Sequence, residues 1–304
     1  MLRSFFIALS TNRPLRAFSE RSSLGRAMSS RFVAGLSVDE ALAACAKLNA
    51  EGISVSLDSL GESVSTRPEA ERSAAIYYQL LEAIETRKLN ANVSLKLTQM
   101  GMDFDPTLAE EITAGIVARA AMAQSFVRID MEGSGLTDAT IAMTARLFRR
   151  FPGRVGTVLQ AYLFRTETDA EKLVAEGIRI RLCKGAYKEP PEIAFPAKSD
   201  VDANYVKLMK RLVMSPVFCG IATHDEAIVN QLLEFVTANG IQKSAFEFQM
   251  LYGIRRDLQR ALVKEGYGVR VYLPFGSEWY PYFMRRLAER PANVLFLAKN
   301  FFKR

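Results

Sequence analysis

The chain has few of the residues on which disulfide and metal chemistry depend. Its 304 residues include three cysteines, Cys45, Cys183 and Cys219, and one histidine, His224. The cysteines are far apart and odd in number, with no CxxC pair, so neither a disulfide framework nor a zinc site is expected. No HxH or HExxH spacing joins His224 to other ligands, and no metal is expected. Long apolar runs are also missing, since none reaches the roughly 18 residues that a membrane-spanning helix needs. The stretch LRSFFIALS near the start is too short to span, and no small-residue cleavage pattern follows it. There is no P-loop, and no GxGxxG follows the first predicted strand. Acids are scarce at one end, where Arg3, Arg13, Arg16, Arg21, Arg26 and Arg31 stand against Glu20 alone. That start fits a mitochondrial transit peptide, or basic amphipathic helices packed on the domain or touching anionic lipid. Away from it the chain is close to neutral, so the net charge of +7 is weak evidence for nucleic acid. No basic stripe interleaved with stacking aromatics is present, and no nucleic-acid partner is expected.

What is present is a large hydrophobic share, 49% of residues, enough to bury the core of one large α/β domain. Ser37, before Asp39 and Glu40, marks a helix start, and SVDEALAACAKLNAEG reads as an amphipathic helix ending at Gly52. An unbroken alternation follows. Strands are predicted at 53–57, 91–97, 126–132, 155–162, 178–187, 219–224, 245–251 and 269–274. Each is followed by a helical pattern, the last from about Glu278. Parallel strands joined by helical crossovers, eight in number, predict a (βα)8 TIM-like barrel over residues 51–304 with an N-terminal helical segment over 1–50. An open doubly wound sheet is the competitor; the count of eight and the missing GxGxxG favour the barrel. One connection, KEPPEIAFPAKSD (188–200), is proline-rich and long, and is a candidate active-site loop.

In such a barrel chemistry sits at the C-terminal strand ends. Those ends carry Lys96, Asp130 and Glu132, Gln160 and Tyr162, Arg181, Lys184 and Tyr187, Thr223, His224 and Asp225, Glu247 and Gln249, and Tyr272. They alternate with Leu95, Ile129, Leu159, Leu182 and Phe248, a pattern read as a polar pocket above an apolar barrel interior. On the last helix Tyr282, Arg285, Arg286 and Glu289 share one face by their i, i+3, i+4 and i+7 spacing. A solvated basic face is the simpler reading of an arginine pair. Two guanidiniums turned instead into a pocket that also holds Lys96, Arg181 and Lys184 make an anion site, most economically for a carboxylate. A Schiff-base lyase using Lys96 or Lys184 is the chemical alternative.

The motifs VSLKLTQMG, RIDMEGS, LQAYLFRT, IRLCKGAYKEP, IATHD, EFQMLYG and YLPFGSEWYPYFMRRLAERPAN, in this order, resemble the bacterial monofunctional proline dehydrogenases. The resemblance runs from about Phe32 to the C-terminus. It implies a distorted barrel that holds FAD and oxidises L-proline to Δ1-pyrroline-5-carboxylate, with electrons passing to a quinone. It implies active-site roles for Asp130 and Arg181, and contacts to the proline carboxylate from Lys96, Arg285 and Arg286. Tyr187, Leu251, Tyr272 and Tyr282 match residues that wall the proline ring. Tyr272 would crowd a 4-hydroxyl, favouring proline over hydroxyproline. FAD contacts are implied for Met131, Gln160, Lys184, Gly185, Ala186, Thr223 and His224. The resemblance further implies a cytoplasmic enzyme, with peripheral contact at the inner face of the membrane a further expectation, and favours packing of the arginine-rich start over mitochondrial import. The chain has no aldehyde dehydrogenase or DNA-binding segment, so the next oxidation, to glutamate, falls to a separate pyrroline-5-carboxylate dehydrogenase.

Overall fold

Helix starts are encoded locally. In α1 (Val38–Ala50) the Ser37 hydroxyl accepts from the Glu40 amide at 3.2 Å while the Glu40 carboxylate accepts from the Ser37 amide, a reciprocal cap. At α2 (Arg67–Thr86) Glu69 reaches back to the amides of Ser65 and Thr66. α3 (Pro106–Met122) opens on a proline that needs no N–H partner, and the Asp105 side chain accepts from the Leu108 amide at 3.0 Å. The computed structural model describes residues 31–61, 63–280, 282 and 284. The strands are β1 (Ser54–Ser59), β2 (Ala91–Leu95), β3 (Val127–Ile129), β4 (Val155–Gln160), β5 (Arg179–Cys183), β6 (Cys219–Ala222), β7 (Phe246–Leu251) and β8 (Gly268–Phe275). Between them lie α2, α3, α4 (Thr137–Arg150), α5 (Thr166–Ala175), α6 (Lys198–Met214), α7 (Glu226–Ala238) and α8 (Arg256–Lys264). All strands are parallel and pair in chain order, and β1 pairs with β8, Val55 opposite Val271, which closes the barrel. The predicted alternation is therefore present. β3 and β5 stop earlier than expected, because beyond Ile129 and Cys183 the chain turns into the loops of the mouth.

The expected apolar interior is not. Val55, Leu57, Val93, Leu95 and Ile129 join α1, α2 and α3 residues such as Leu42, Leu80 and Val117 in one apolar cluster. Leu159, Leu182, Ile221 and Phe248 join a second with residues of α5, α6 and α7. The large apolar residues thus line the outer face of the sheet, under the helices. The lumen holds the other parity: Ser56, Asp58, Ser94, Arg128, Asp130, Arg181, Glu247, Gln249 and Arg270, most of them buried. A period of two fixes which residues share a face but not which face is inside, and in a parallel barrel both are buried. Buried charges are costly unless paired. Here Arg270 donates to Glu247 at 2.7 Å and to Asn92 and the Val55 carbonyl at 2.9 Å, while Arg128 donates to the Thr157 and Arg179 carbonyls.

The outer ring is irregular in one place. α1, which precedes β1, packs across β1 and β8 with Ala41, Leu42 and Cys45 buried beneath it. Beyond β8, Trp279, Tyr280 and Tyr282 pack instead with Phe32, Val33 and Leu60, the last of these just past the C-terminal end of β1. Chain on both sides of the barrel therefore meets at its mouth. No described helix is long and apolar enough to cross a membrane.

Candidate active site

The mouth at the C-terminal strand ends divides into two sides. On the first, the inward parity of β1, β2, β3 and β8 brings Asp58, Lys96, Asp130 and Tyr272 together. Lys96 Nζ lies 3.2 Å from Asp58 Oδ1 and 4.0 Å from Asp130 Oδ2. The Tyr272 hydroxyl donates to Asp130 Oδ2 at 2.8 Å. From the opposite wall Arg181 reaches across the lumen, donating from Nη1 to Asp130 Oδ1 at 2.9 Å and from Nη2 to Ser94 and Ser56 at 3.2 and 3.3 Å. Burial alone would lower the Lys96 pKa, but the carboxylates of Asp58 and then Asp130 more than reverse this and hold it raised. Burial pushes the Asp58 carboxyl up against the pull of Lys96. Burial, with Asp130 and Asp58 adding to it, keeps the Tyr272 phenol neutral, well above its ordinary pKa. The cluster therefore offers two cations and two carboxylates in balance with one hydroxyl donor.

The second side is built from β4, β5 and β6. Gln160 ends β4 with its side chain buried, and its Oε1 has no hydrogen-bond partner among the described residues. After β5, Lys184 Nζ is held between Asp202 at 2.5 Å and Asp225 at 3.1 Å. Gly185 has φ +115°, and a Cβ there would lie 2.3 Å from the Tyr162 ring, so only glycine brings the backbone this close. Thr223 Oγ1 accepts from the Asp225 amide at 3.1 Å, and His224 Nε2 accepts from the Leu251 amide at 2.8 Å. That bond makes Nε2 unprotonated and the imidazole an anchor between β6 and β7. A buried amide carbonyl with spare capacity, beside a rim lysine held by two carboxylates, suits a flavin's polar ring edge.

The expected residues gather here to different degrees. Asp130, Arg181, Lys96 and Tyr272 form one hydrogen-bonded cluster. Leu251 is the β7 neighbour of Tyr272. Tyr187, 41% exposed, stands at the rim and still acts electrostatically on Lys96. Met131 is buried in the apolar cluster behind β4 and β5, and Tyr282 is buried against Trp279 and Phe32. Arg285, Arg286 and Glu289 lie outside the described residues. The long loop after β5 is pinned over the β3–β4 side: Phe195 donates to the Tyr162 carbonyl at 2.8 Å, and Glu189 accepts from the Ser134 amide at 2.8 Å. Asp58 was not among the expected site residues, because the first predicted strand stops at 57. Counting parity onward from Ser56 would have turned it inward.

Two of the three cysteines lie away from the mouth. Burial pushes the Cys45 and Cys219 thiols up to about 12, so neither is a nucleophile at neutral pH. A cleft of about 770 Å³ lined by Phe218, Phe246, Glu247 and Tyr267 opens at the opposite, N-terminal ends of the strands, away from the end where barrel chemistry is carried out.

The proline dehydrogenase family model matches residues 41–299. Proline dehydrogenase 2 of Bacillus subtilis (strain 168) is 40% identical over 302 residues, 99% of each chain. The proline dehydrogenase of Deinococcus radiodurans is 41% identical over 280 residues, 91% of this chain and 90% of that one. Among solved structures, proline utilization A (PutA) from Bdellovibrio bacteriovorus, inactivated by N-propargylglycine, superposes with a TM-score of 0.83 at 25% identity. It is covered over 92% of this chain and 34% of its own, so the chain spans about a third of that protein.

Proposed function

Because the chain belongs to the proline dehydrogenase family, we infer that the cluster of Lys96, Asp130, Arg181 and Tyr272 is the floor on which L-proline is oxidised, in the first step of proline degradation. The family is one of flavoenzymes, and the cofactor here is a flavin. FAD is the form we propose, held by Gln160, Lys184, Gly185, Ala186, Thr223 and His224, with Met131 behind. When bound, it supplies the hydride acceptor for the carbon next to the proline nitrogen.

The observation that carries this reading is the link from Asp130 to Arg181, which ties the charged side of the mouth to the flavin side at 2.9 Å. Lys96, joined by Arg285 and Arg286, binds the proline carboxylate, a point charge beside two bidentate donors. Tyr187, Leu251, Tyr272 and Tyr282 wall the ring and exclude water, which would orient the reacting carbon toward the bound flavin. Each Asp130 oxygen already accepts a hydrogen bond, which fixes the carboxylate in place. That charge favours the cation that develops as the ring nitrogen donates its lone pair. The Schiff-base alternative is disfavoured by Lys96 itself, because a nucleophilic amine must be neutral and Asp58 and Asp130 keep this one protonated.

Electrons pass from the flavin to a quinone in our reading. A cytoplasmic protein would meet that acceptor at the inner face of the membrane, where the arginine-rich first segment suits anionic lipid. Oxidation of the product belongs to a separate dehydrogenase. The carboxylate clamp is tested by Arg285→Ala and Arg286→Ala: the KM for proline rises on the order of a hundredfold with flavin retained, the cost of losing one hydrogen bond to a charged group. Unchanged proline kinetics in both variants would remove the clamp.

A further inference from the structure

Arg181 is fixed from below as well as from above. Its Nε donates to Gln249 Oε1, Gln249 Nε2 donates to Glu247 Oε1 at 2.6 Å, and the same Glu247 oxygen accepts from Arg270 Nε at 2.7 Å. All of these side chains except Arg270 are buried below a tenth of their surface, and Arg270 is partly buried. A guanidinium has five N–H donors. Gln249, Asp130, Ser56 and Ser94 take four of them, which leaves one on Nη1, the nitrogen that faces Asp130. The amide orientation of Gln249 is set by its neighbours: its Nε2 must meet the Glu247 carboxylate, so its oxygen must meet Arg181. The slot it occupies is cut by glycine. A Cβ on Gly220 of β6 would lie 2.3 Å from Gln249 Nε2 and 2.7 Å from Cδ.

We propose that Gln249, seated in the Gly220 slot and oriented by Glu247 and Arg270, is a positioning residue that holds Arg181 with one N–H free toward the mouth. The inference rests on the reading of Arg181 as the cation near the flavin. Gln249 supplies an acceptor without a charge. A carboxylate in its place would satisfy the Arg181 Nε but offset the guanidinium charge and repel Glu247. The positive potential that Arg181 lends to a reduced, anionic flavin depends on that neutrality.

The test uses the flavin-loaded enzyme. Gln249→Glu lowers the two-electron midpoint potential of the bound flavin by the equivalent of about tenfold in its reduction equilibrium, roughly 30 mV. Gln249→Met and Gly220→Ala, which loosen Arg181 by different routes, lower kcat about tenfold while the KM for proline changes less than threefold. Such a tenfold effect is one charged hydrogen bond's worth. A purely structural role would move the melting temperature and leave potential and kcat per bound flavin at their wild-type values; that result overturns the proposal. Arg181→Lys separates the layers. If it shifts the potential and Gln249→Glu does not, the relay is wrong and the reading of Arg181 stands; if neither shifts it, the reading of Arg181 itself fails. Should Gln249→Met not fold, Gly220→Ala and Glu247→Gln read the same relay with the amide in place.

Discussion

On the β8–β1–β2–β3 side of the mouth, charge is packed against charge; on the β4–β5–β6 side, beside the Lys184–Asp202–Asp225 ion pairs, a buried polar group is left with capacity to spare. Asp58, Lys96, Asp130 and Tyr272 satisfy one another at 2.8 to 4.0 Å, and the first side is fully paired before any ligand arrives. Across the mouth, Gln160 presents an unpartnered carbonyl among the described residues, and Gly185 lets the backbone pack against the Tyr162 ring. The difference separates two tasks. A small zwitterion needs fixed charges already in place, because their reorganisation would otherwise raise the barrier. A large cofactor is better met by groups whose hydrogen bonds are completed only when it binds. Arg181 is the joint, rooted in β5 beside the cofactor side and bonded to Asp130 on the other.

Severing the joint has the largest expected effect. Arg181→Met removes the guanidinium that Asp130 Oδ1, Gln249, Ser56 and Ser94 share. We expect kcat/KM for proline to fall on the order of a thousandfold. Stability should fall by about 3–5 kcal/mol, as for a broken buried ion pair. Steady-state kinetics and urea unfolding check the two parts. Next comes the charged side alone. In Asp58→Asn, Lys96 loses its first counter-charge, so burial is less opposed and its pKa falls. The KM for proline should rise about tenfold, roughly 1.4 kcal/mol. The alkaline limb of kcat/KM should also move to lower pH, a shift read from a pH profile. An unchanged profile would mean that Asp130 alone holds the lysine charged. The smallest effect belongs to the cofactor side. Gly185→Ala places a Cβ against Tyr162 in a backbone region costing about 1–3 kcal/mol for other residues. The flavin-to-protein ratio should fall several-fold, while proline affinity per loaded site stays within twofold.

Much of this division could be read from the chain. The eight strands, their order and the gathering of Lys96, Asp130, Arg181 and Tyr272 follow from alternation and from the rule that barrel chemistry sits at strand ends. The lumen could not be read in the same way. Leu95, Ile129, Leu159, Leu182 and Phe248 looked like barrel filling and proved to be the outer face beneath the helices. Parity alone has no sign when both faces of a strand are buried. Asp58 was hidden because the first predicted strand stops at 57, and the Gln249–Glu247–Arg270 relay by the sequence distance between β7 and its partners in space. The arginine pair at 285 and 286 is legible only through spacing and family motif, and its contacts fall outside the described residues.

The most direct test of the account is an anaerobic titration of the purified protein with L-proline while its absorption spectrum is followed. The account predicts flavin bands that bleach with L-proline and not with acyclic amino acids, and a bleaching that is slowed in Arg181→Met. A protein without flavin bands whose lysine is trapped by borohydride in the presence of substrate would contradict it.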